Sequence, residues 1–311
     1  NAYSKDTLLI TETNLPNLEN LSYFGDGDEA NSIYNFALPP LLLWTFLMGD
    51  STAIRKWSMG MPPAKDHTTY FNFIASHDGI GIRPTEGILT DNERSTLVNI
   101  IKDFGGEISY RRKSDNSESV YELNIALIDA MKGTFKGIDH MQIERFIAAH
   151  AIMLSLEGIP AFYIHSILGT SNDYELVKKT KNKRSINRKS WNYDDIDKLL
   201  SDSKSQNFFI YDNLKKLIEI RKKQSAFHPN ATQFTFNLGP NFFGIWRQSL
   251  DKKQSIFGVT NVTNVFQYLD LSELNLIESN EWWDLISNEI ILDIKTNISL
   301  KAYQTMWITN Y

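Results

Sequence analysis

Short apolar runs followed by ionisable residues recur in the first part of the chain. Residues 7–11 form one such run, which ends at Glu12, and residues 70–74 form another, which is soon followed by His77 and Asp78. β-Branched and aromatic side chains fill both runs, as is typical of buried strands. We therefore predict two buried strands, each with an ionisable side chain near its carboxyl end.

The residues between these two runs predict further elements. Residues 32–36 have the composition of another strand. Pro39 and Pro40 suit the first turn of a helix, and residues 52–59 predict a second helical piece. The resulting order of strand, loop, strand, helices and strand favours a parallel α/β sheet or barrel.

The pattern changes after residue 82. Residues 91–104 predict a short helix, and residues 107–110 and 120–124 predict ordered segments on either side of a basic and polar loop. We interpret residues 83–139 as an insertion between a barrel strand and its helix. Insertions of this kind usually shape the mouth of a barrel site.

Helical spacing returns after the insertion. Residues 139–156 predict the clearest helix, with Asp139 as its cap, and residues 206–223 predict another amphipathic helix. Between them, residues 159–164 predict a buried strand and residues 169–194 a long loop. From residue 230 onwards hydrophobic residues recur at every second position, which predicts the strands of a small antiparallel β domain.

Composition excludes several classes of function. The chain has no cysteine, so disulfides, zinc thiolates and cysteine nucleophiles are ruled out. Its formal net charge of −5 argues against a nucleic-acid surface, for which a basic footprint is expected. The longest apolar run, residues 36–48, contains two prolines and is too short to span a bilayer. No signal-peptide pattern is visible, and we expect a cytoplasmic protein.

Two features admit more than one interpretation. The 7 Trp, 13 Tyr and 18 Phe suit either a large core or the lining of a sugar-binding cleft, and the core is favoured. Asp26, Asp28 and Glu29 are closely spaced oxygen ligands, but they do not fit the calcium-loop pattern. A solvated loop is therefore favoured over a metal site, and we predict neither a metal nor another cofactor.

Glu12 and Asp78 form a candidate pair of catalytic carboxylates. The carboxyl ends of barrel strands share one face, so the two side chains would project together. Glycoside cleavage uses one protonated carboxyl group at the leaving oxygen and a second, ionised one near the sugar ring. His77, beside Asp78, could hold a sugar hydroxyl. The alternative is that Asp78 and Gly79 form an ordinary turn and His77 is a loop side chain.

Five segments resemble a known family. LLITETN and FIASHDG are similar to the acid-bearing strand and the seventh-strand signature of the α-amylase superfamily (glycoside hydrolase family 13). SHDGIGIRPTEGIL, SVYELN and RSINR resemble its sucrose-phosphorylase-like branch, with a leaning toward enzymes of sucrose 6′-phosphate or glucosylglycerate. The resemblance covers essentially the whole chain.

The resemblance implies an α/β fold made of the second half, about strands 5–8, of a TIM (β/α)8 barrel. An inserted subdomain and a C-terminal antiparallel β domain would complete it. The implied division is barrel strands 5–7 in residues 1–82, the inserted subdomain after strand 7 in residues 83–139, barrel helix 7 to helix 8 in residues 140–229, and the β domain in residues 230–311.

The resemblance also implies roles for residues near the predicted strand ends. Glu12 would be the general acid/base, Asp78 the carboxylate that stabilises the transition state, and His77 a contact to sugar hydroxyls. Arg188 and Asn187 of RSINR would help to hold the glucosyl unit.

Tyr121 of SVYELN would lie on the loop that meets phosphate or the acceptor. Just upstream, Arg111 and Arg112 are candidate phosphate ligands, because guanidinium groups suit phosphate. The alternative, which we favour for this basic run, is a solvated loop surface.

The expected nucleophile is missing from the sequence. In this superfamily it is the aspartate of an Arg-x-Asp-Ala motif before the acid-bearing strand, whereas only eleven residues precede Glu12 and no Arg is followed two positions later by Asp. The chain also lacks an initial methionine, which favours a processed or incomplete polypeptide. We expect the isolated chain to be inactive, and either the missing half or self-association to cover its open sheet edges.

The predicted parent activity is a retaining phosphorylase. It would transfer glucose from an α-glucoside, such as sucrose or a phosphorylated sucrose, to inorganic phosphate and give α-glucose 1-phosphate. Two alternatives remain open. A hydrolase or transglucosidase of the same superfamily would not need phosphate, and a catalytically inert carbohydrate-binding fragment would show no turnover.

Overall fold

The computed structural model describes residues 7–112, 116–274, 276, 281–291 and 297–310. Its strands are β1 (Ile10–Thr11), β2 (Ser32–Tyr34), β3 (Thr69–Asn72), β4 (Ile80–Gly81), β5 (Glu107–Arg112), β6 (Glu118–Asn124), β7 (Gly133–Thr134), β8 (Gly137–Ile138), β9 (Ile159–Pro160), β10 (Thr232–Phe236), β11 (Phe242–Gln248), β12 (Ser255–Asn261), β13 (Gln267–Asp270), β14 (Trp282–Asp284), β15 (Glu289–Ile291), β16 (Asn297–Leu300) and β17 (Thr305–Asn310).

Its α-helices are α1 (Asn17–Leu21), α2 (Leu38–Met48), α3 (Thr52–Met59), α4 (Asp91–Asp103), α5 (Leu127–Ala130), α6 (Gln142–Ser155), α7 (Ile164–Ile167), α8 (Tyr174–Thr180), α9 (Tyr193–Ser201) and α10 (Gln206–Lys222). Short 3-10 helices cover Ser22–Phe24, Arg83–Thr85, Lys183–Asn187, Ser225–Phe227 and Leu271–Glu273. Among the described helices, none has the length and apolar character needed to traverse a bilayer.

A four-stranded parallel sheet with the order β1-β2-β3-β9 carries the first part of the chain. Because side chains alternate between the two faces of a strand, Ile33 and Tyr70 lie on one face, where both are buried in a small apolar cluster. Tyr34 and Phe71, their immediate successors, lie on the opposite face, which is called the inner face below. The parallel sheet predicted from the strand order is confirmed.

Helix α2 packs against α3, β4, β7 and α6 and is buried along almost its whole length. Pro39 and Pro40 occupy its first turn, where their missing N–H groups have no intrahelical partner to lose. Gly49 ends the helix in the left-handed conformation (φ 67°) that glycine adopts without strain. The predicted helix of residues 52–59 is confirmed as α3.

The predicted insertion contains α4 and strands β5 and β6, which form a small antiparallel sheet with β4, just before the insertion, in the order β4-β6-β5. Thr90 and Glu93 begin α4 with a reciprocal cap: the Thr90 hydroxyl accepts from Glu93 N–H, and the Glu93 carboxylate accepts from Thr90 N–H at 2.7 Å. The hairpin of β5 and β6 is called the insertion hairpin below.

The C-terminal part forms a six-stranded antiparallel sheet in the order β10-β11-β12-β17-β14-β15, with a separate pair of β13 and β16. The predicted antiparallel β domain is confirmed. It is tied to α6 through two buried side chains: the Trp307 indole donates to Ser155 Oγ at 2.8 Å, and the Arg247 guanidinium donates to Ser155 O at 2.9 Å. A further Arg247 bond reaches His228 O at 2.7 Å.

Two predictions about element ends were wrong. Helix α6 begins at Gln142, and Asp139 is not its cap: its carboxylate accepts from Met141 N–H at 2.8 Å and pairs with the buried Arg145. The predicted strand of residues 159–164 ends at Pro160, and α7 begins at Ile164.

The predicted loop of residues 169–194 is largely ordered. It contains α8, the 3-10 helix Lys183–Asn187 and the start of α9. Asp173 caps α8 by accepting from Leu176 N–H, and Asn192 caps α9 by accepting from Asp194 N–H. These local caps explain why short helices form in a segment without a long hydrophobic repeat.

The two outer strands of the parallel sheet expose apolar side chains. On the β1 side Leu8, Leu9 and Ile10 are 74%, 49% and 47% exposed, and on the β9 side Ile159 is 42% exposed. Edge strands of parallel sheets are normally covered or paired. The described part of the chain therefore leaves two apolar edges open.

Candidate active site

Aromatic rings cover the inner face of the parallel sheet. The ring centroids of Tyr34 and Phe71 are 4.5 Å apart, and those of Tyr34 and Phe73 are 5.3 Å apart. A cleft of about 190 Å³ opens above these rings, and its lining also includes His77 and Tyr163. Aromatic faces suit the apolar faces of sugar rings, so the inner face offers a platform for a glycosyl unit.

Glu12 follows β1 at the edge of this platform, and its side chain is exposed. Burial raises the pKa of the Tyr34 hydroxyl, and the negative charge of Glu12 acts in the same direction, which places the Glu12 carboxylate near that ring. One strand separates β1 from β3. Since neighbouring strands lie about 4.8 Å apart, these two strand ends lie roughly 10 Å apart on one edge of the sheet.

Asp78 lies beyond the carboxyl end of β3 and is held by two guanidinium groups. Its Oδ1 atom is 2.8 Å from Arg184 Nη1 and 3.1 Å from Arg188 Nη2. The His77 Nε2 atom is 3.6 Å from the same oxygen, and the His77 side chain is 62% exposed. The Arg188 contact is a charge-assisted hydrogen bond, which is strong and directional, and the Arg184 contact is an ion pair. They orient the Asp78 carboxylate beside the cleft.

The segment around Lys183–Asn187 brings the two arginines to Asp78. Asn187 is buried and donates from Nδ2 to Ser76 O at 2.7 Å, while Arg188 Nε donates to His77 O at 2.7 Å. The Tyr163 hydroxyl donates to Asn187 O at 2.6 Å. This segment is therefore attached by side-chain bonds directly to the backbone on which His77 and Asp78 lie.

A second carboxylate holds Arg184 from the opposite side. Glu122 lies on β6 with only 5% of its side chain exposed. Its Oε2 atom accepts from Arg184 Nε at 2.9 Å, and its Oε1 atom accepts from Arg184 Nη2 at 2.5 Å. Arg184 thus forms a two-point fork on Glu122 and uses its remaining Nη1 for Asp78.

Tyr121 and the two candidate phosphate ligands lie on the insertion hairpin. Tyr121 is next to Glu122 on β6, and Glu122 is paired with Arg184 of the site. Arg111 lies opposite Ser119 and donates to its hydroxyl at 3.3 Å, and Arg112 is exposed at the end of β5. Within the described residues, no ion pair joins Arg111 or Arg112 to Asp78.

Sequence reasoning placed Glu12, His77 and Asp78 near strand ends, and Asn187 and Arg188 in a long loop. The structure brings the last four together. It missed three residues at the site, which are Glu122, Tyr163 and Arg184. Two of these stood inside motifs already singled out, SVYELN and RSINR, but their pairing joins residues 62 positions apart. A contact of that separation leaves no local signal in one sequence.

The described residues contain no group of three or more His, Asp or Glu side chains arranged to hold a metal ion. Of the three acids weighed as oxygen ligands, Asp26 lies 3.6 Å from Lys65 Nζ, and Asp28 Oδ1 accepts from Asp26 N–H at 3.1 Å. The side chains of Asp26 and Asp28 thus serve a surface turn and a surface ion pair.

Comparison with solved structures shows the class of fold. The crystal structure of sucrose 6F-phosphate phosphorylase from Thermoanaerobacter thermosaccharolyticum superposes with a TM-score of 0.69 at 20% identity over 95% of this chain and 52% of that chain. An Anoxybacillus α-amylase superposes with a TM-score of 0.58 at 13% identity over 99% of this chain and 53% of that one. The fold is that of the α-amylase-type barrel enzymes.

Comparison of sequences narrows the class. The chain is 35% identical to the glucosylglycerate phosphorylase of Escherichia coli over 97% of its own length and 52% of the relative. No family model matches. The curated relatives that the chain matches over nearly its whole length are glucosylglycerate phosphorylases, and the chain spans about half of their length.

Proposed function

We propose that this chain is the C-terminal half of a retaining α-glucoside phosphorylase, which transfers a glucosyl unit to phosphate and releases α-glucose 1-phosphate. The observation that carries the proposal is the carboxylate of Asp78, fixed by Arg184 and Arg188 at the rim of an aromatic cleft. Similarity to a phosphorylase over nearly the whole chain supports it.

The proposed chemistry uses two carboxyl groups of this chain. Glu12 protonates the oxygen of the leaving group and later takes a proton from phosphate, since one group serves as acid and then as base in a retaining mechanism. Asp78 stabilises the positive charge that develops on the sugar ring. His77 lies beside Asp78, and Arg188 donates a hydrogen bond to Asp78 at 3.1 Å; both bind the glucosyl hydroxyls, with Asn187 supporting them.

A nucleophile has to come from outside this chain. A retaining enzyme needs a third carboxylate, about 5 Å from the acid, that forms the glucosyl-enzyme. The apolar edges at Leu8, Leu9, Ile10 and Ile159 support a partner of matching architecture, namely a second set of parallel strands with covering helices. We propose that this partner is the nucleophile-bearing half of the barrel, so that strands β1, β2, β3 and β9 serve as strands 5–8.

Among the α-glucosides, we propose glucosylglycerate as the substrate ahead of sucrose or sucrose 6′-phosphate. The sequence similarity supports this order. Identity is 35% over 97% of the chain to a glucosylglycerate phosphorylase, 30% over 56% to a sucrose phosphorylase and 27% over 63% to a sucrose 6(F)-phosphate phosphorylase. Tyr121, next to Glu122 on β6, is proposed to meet phosphate or the acceptor. Arg111 and Arg112 lie further along the insertion hairpin and stay candidate phosphate ligands.

Complementation tests the proposal. The chain is produced alone and together with the part of the Escherichia coli relative that it does not match, and the pair is called the reconstituted enzyme below. Glucosylglycerate, sucrose and sucrose 6′-phosphate are each supplied with inorganic phosphate, and glucose 1-phosphate is measured. We expect release by the reconstituted enzyme, with glucosylglycerate turned over fastest, and none by the chain alone.

Variants assign the two carboxyl groups. Asp78→Asn and Glu12→Gln should each lower turnover about 1,000-fold, within the range for loss of an acid/base or charge-stabilising group. Glu29→Gln, at an exposed carboxylate of a loop, is the matched control and should leave turnover unchanged. Phosphate-dependent turnover by the isolated chain would show that no partner is needed.

Release of free glucose without phosphate would instead show that the enzyme is a hydrolase. Sugar binding without turnover would show that the chain is an inert binding fragment.

A further inference from the structure

The side chain of Glu122 reaches the proposed catalytic carboxylate only through Arg184. Glu122 belongs to the insertion hairpin and Asp78 to the segment after β3, so the two lie on different parts of the fold. Arg184 spans them with three of its nitrogens: Nε and Nη2 on Glu122, and Nη1 on Asp78. The three side chains form a continuous charged path, with two hydrogen bonds between Arg184 and Glu122 and an ion pair between Arg184 and Asp78.

Of the three side chains in this path, Glu122 is the most buried and therefore the most restricted in position. Its side chain is 5% exposed, compared with 27% for Asp78 and 35% for Arg184. A buried carboxylate is retained only when it is paired, and a two-point guanidinium fork is the geometry that satisfies both oxygens. The two hydrogen bonds to Glu122 fix the orientation of the Arg184 guanidinium. The hairpin therefore sets the position of Arg184 Nη1.

Two glycines show that the hairpin is seated against the strand ends. A Cβ atom on Gly79 would lie 2.3 Å from Asn124 Nδ2 and 2.8 Å from Glu122 Cβ. A Cβ atom on Gly81 would lie 2.5 Å from the Asn14 amide, two residues after Glu12. The missing side chains allow β4 and β6 to approach both segments that carry the proposed catalytic carboxylates.

We propose that Glu122 is a positioning residue for the reaction: it locks Arg184 so that this arginine, together with Arg188, fixes Asp78 in the geometry that stabilises the transition state. This inference rests on the proposed function, because it assigns Glu122 a task at that same site. Glu122 does not touch the sugar. Its effect is on the rate of the chemical step, since displacement of a catalytic group by about 1 Å costs on the order of 100-fold in rate.

Kinetics of the reconstituted enzyme provide the first test. Glu122→Gln keeps the shape of the side chain but removes the charge that holds the fork, so we expect kcat to fall about 100-fold while KM changes less than about threefold. Glu118→Gln is the matched control, because this glutamate lies on the same strand and is exposed. Glu122→Asp should recover part of the loss.

A double-mutant cycle separates positioning from a general structural role. If Glu122 acts through Asp78, its substitution should cost little in an Asp78→Asn background, because the carboxylate it positions is already gone. Equal losses in both backgrounds, or a loss confined to KM, would overturn the inference. An inactive wild-type reconstituted enzyme would count against the proposed function instead.

Nuclear magnetic resonance of the chain itself tests the geometry without any turnover. The Arg184 Nε–H resonance, identified by its loss in Arg184→Lys, should be protected from exchange in the wild type and lose that protection in Glu122→Gln. It should also shift in Asp78→Asn. An Arg184 signal unaffected by Glu122→Gln would refute the positioning role, whatever the activity of the reconstituted enzyme.

Discussion

At the scale of single residues, the side chains of the candidate site are oriented by the polar partners that the fold brings to them. Arg184 and Arg188 are ordinary surface residue types, yet each places one nitrogen on the same oxygen of Asp78. Asn187, beside Arg188, is buried and holds the backbone of Ser76. At the residue scale, the candidate site consists of polar groups that are each held by a second polar group.

His150 shows the same dependence on burial in the core. It lies in α6, is almost fully buried, and its Nδ1 atom is 2.8 Å from Phe146 O, with its ring stacked on Phe162. Burial disfavours the charged imidazolium and lowers the pKa of His150 from 6.5 to about 4. The unfolded chain therefore binds a proton in a pH range where the folded chain does not.

The free energy of unfolding should consequently fall as pH is lowered from 6.5 toward 4. The expected loss from this group is roughly 3 kcal/mol, complete once pH lies below the folded pKa. Urea unfolding at pH 7.5 and pH 4.5 measures it. In His150→Asn this part of the pH dependence should vanish, whereas His67→Asn, at an exposed loop position, should retain it. Equal pH dependence in wild type and His150→Asn would contradict the assignment.

At the scale of elements, the insertion hairpin is connected to the segments that form the candidate site. It pairs through β6 with β4, and β4 continues directly from the segment that carries His77 and Asp78. The 3-10 helix Lys183–Asn187 contacts the hairpin, because Lys183 Nζ donates to Ile108 O at 2.7 Å and Arg184 binds Glu122. It also contacts the strand-end segment, because Asn187 donates to Ser76 O. Hairpin, strand end and 3-10 helix therefore form one unit.

Gly79→Ala should disturb this unit. The new Cβ atom would meet the Glu122 Cβ and the Asn124 amide well inside contact distance, and overpacking of this kind typically costs about 1–3 kcal/mol. Gly60→Ala is the matched control, since its Cβ would meet only backbone atoms at 3.5 Å in a helical conformation. Thermal unfolding should show a lower midpoint for the first variant and no decrease for the second. A midpoint unchanged by Gly79→Ala would show that the hairpin can move away freely.

At the scale of the whole molecule, one side of the described structure has a packed apolar core and the other side exposes apolar surface. One large apolar core joins α2, the insertion and α6, and the C-terminal sheet is fastened to it by Trp307 and Arg247. The parallel sheet, in contrast, presents apolar edges and an aromatic inner face with a cleft. The proposed second half of the barrel would cover the exposed edges of the parallel sheet.

Charges placed on the open edges test this view. Ile10→Glu combined with Ile159→Glu should leave the stability of the isolated chain nearly unchanged, because both side chains are already 47% and 42% exposed. The double variant should, however, fail to associate with the complementing half in analytical ultracentrifugation. Leu250→Glu, at an exposed position of the C-terminal part, should associate normally. Undiminished association of the double variant would place the partner surface elsewhere.

The order of hydrophobic runs determined much of the fold. The runs that end before Glu12 and before His77 predicted parallel strands, and the switch to a period of two predicted the C-terminal sheet, because alternation and strand composition are local properties. Short elements such as α8 and α9 escaped prediction, since they depend on single caps at Asp173 and Asn192 rather than on a repeat. The proposed division of the chain at residues 82, 139 and 229 stays a prediction.

The sequence by itself determined which residue types stand at the strand ends: Glu12 at one, and His77 with Asp78 at another. Only the tertiary structure decided which arginines reach Asp78 and that Glu122 holds one of them. The physical reason is that a guanidinium fork needs its partners within about 3 Å. A distance of that kind between the insertion hairpin and a distant 3-10 helix exists only once both elements are packed against the end of β3.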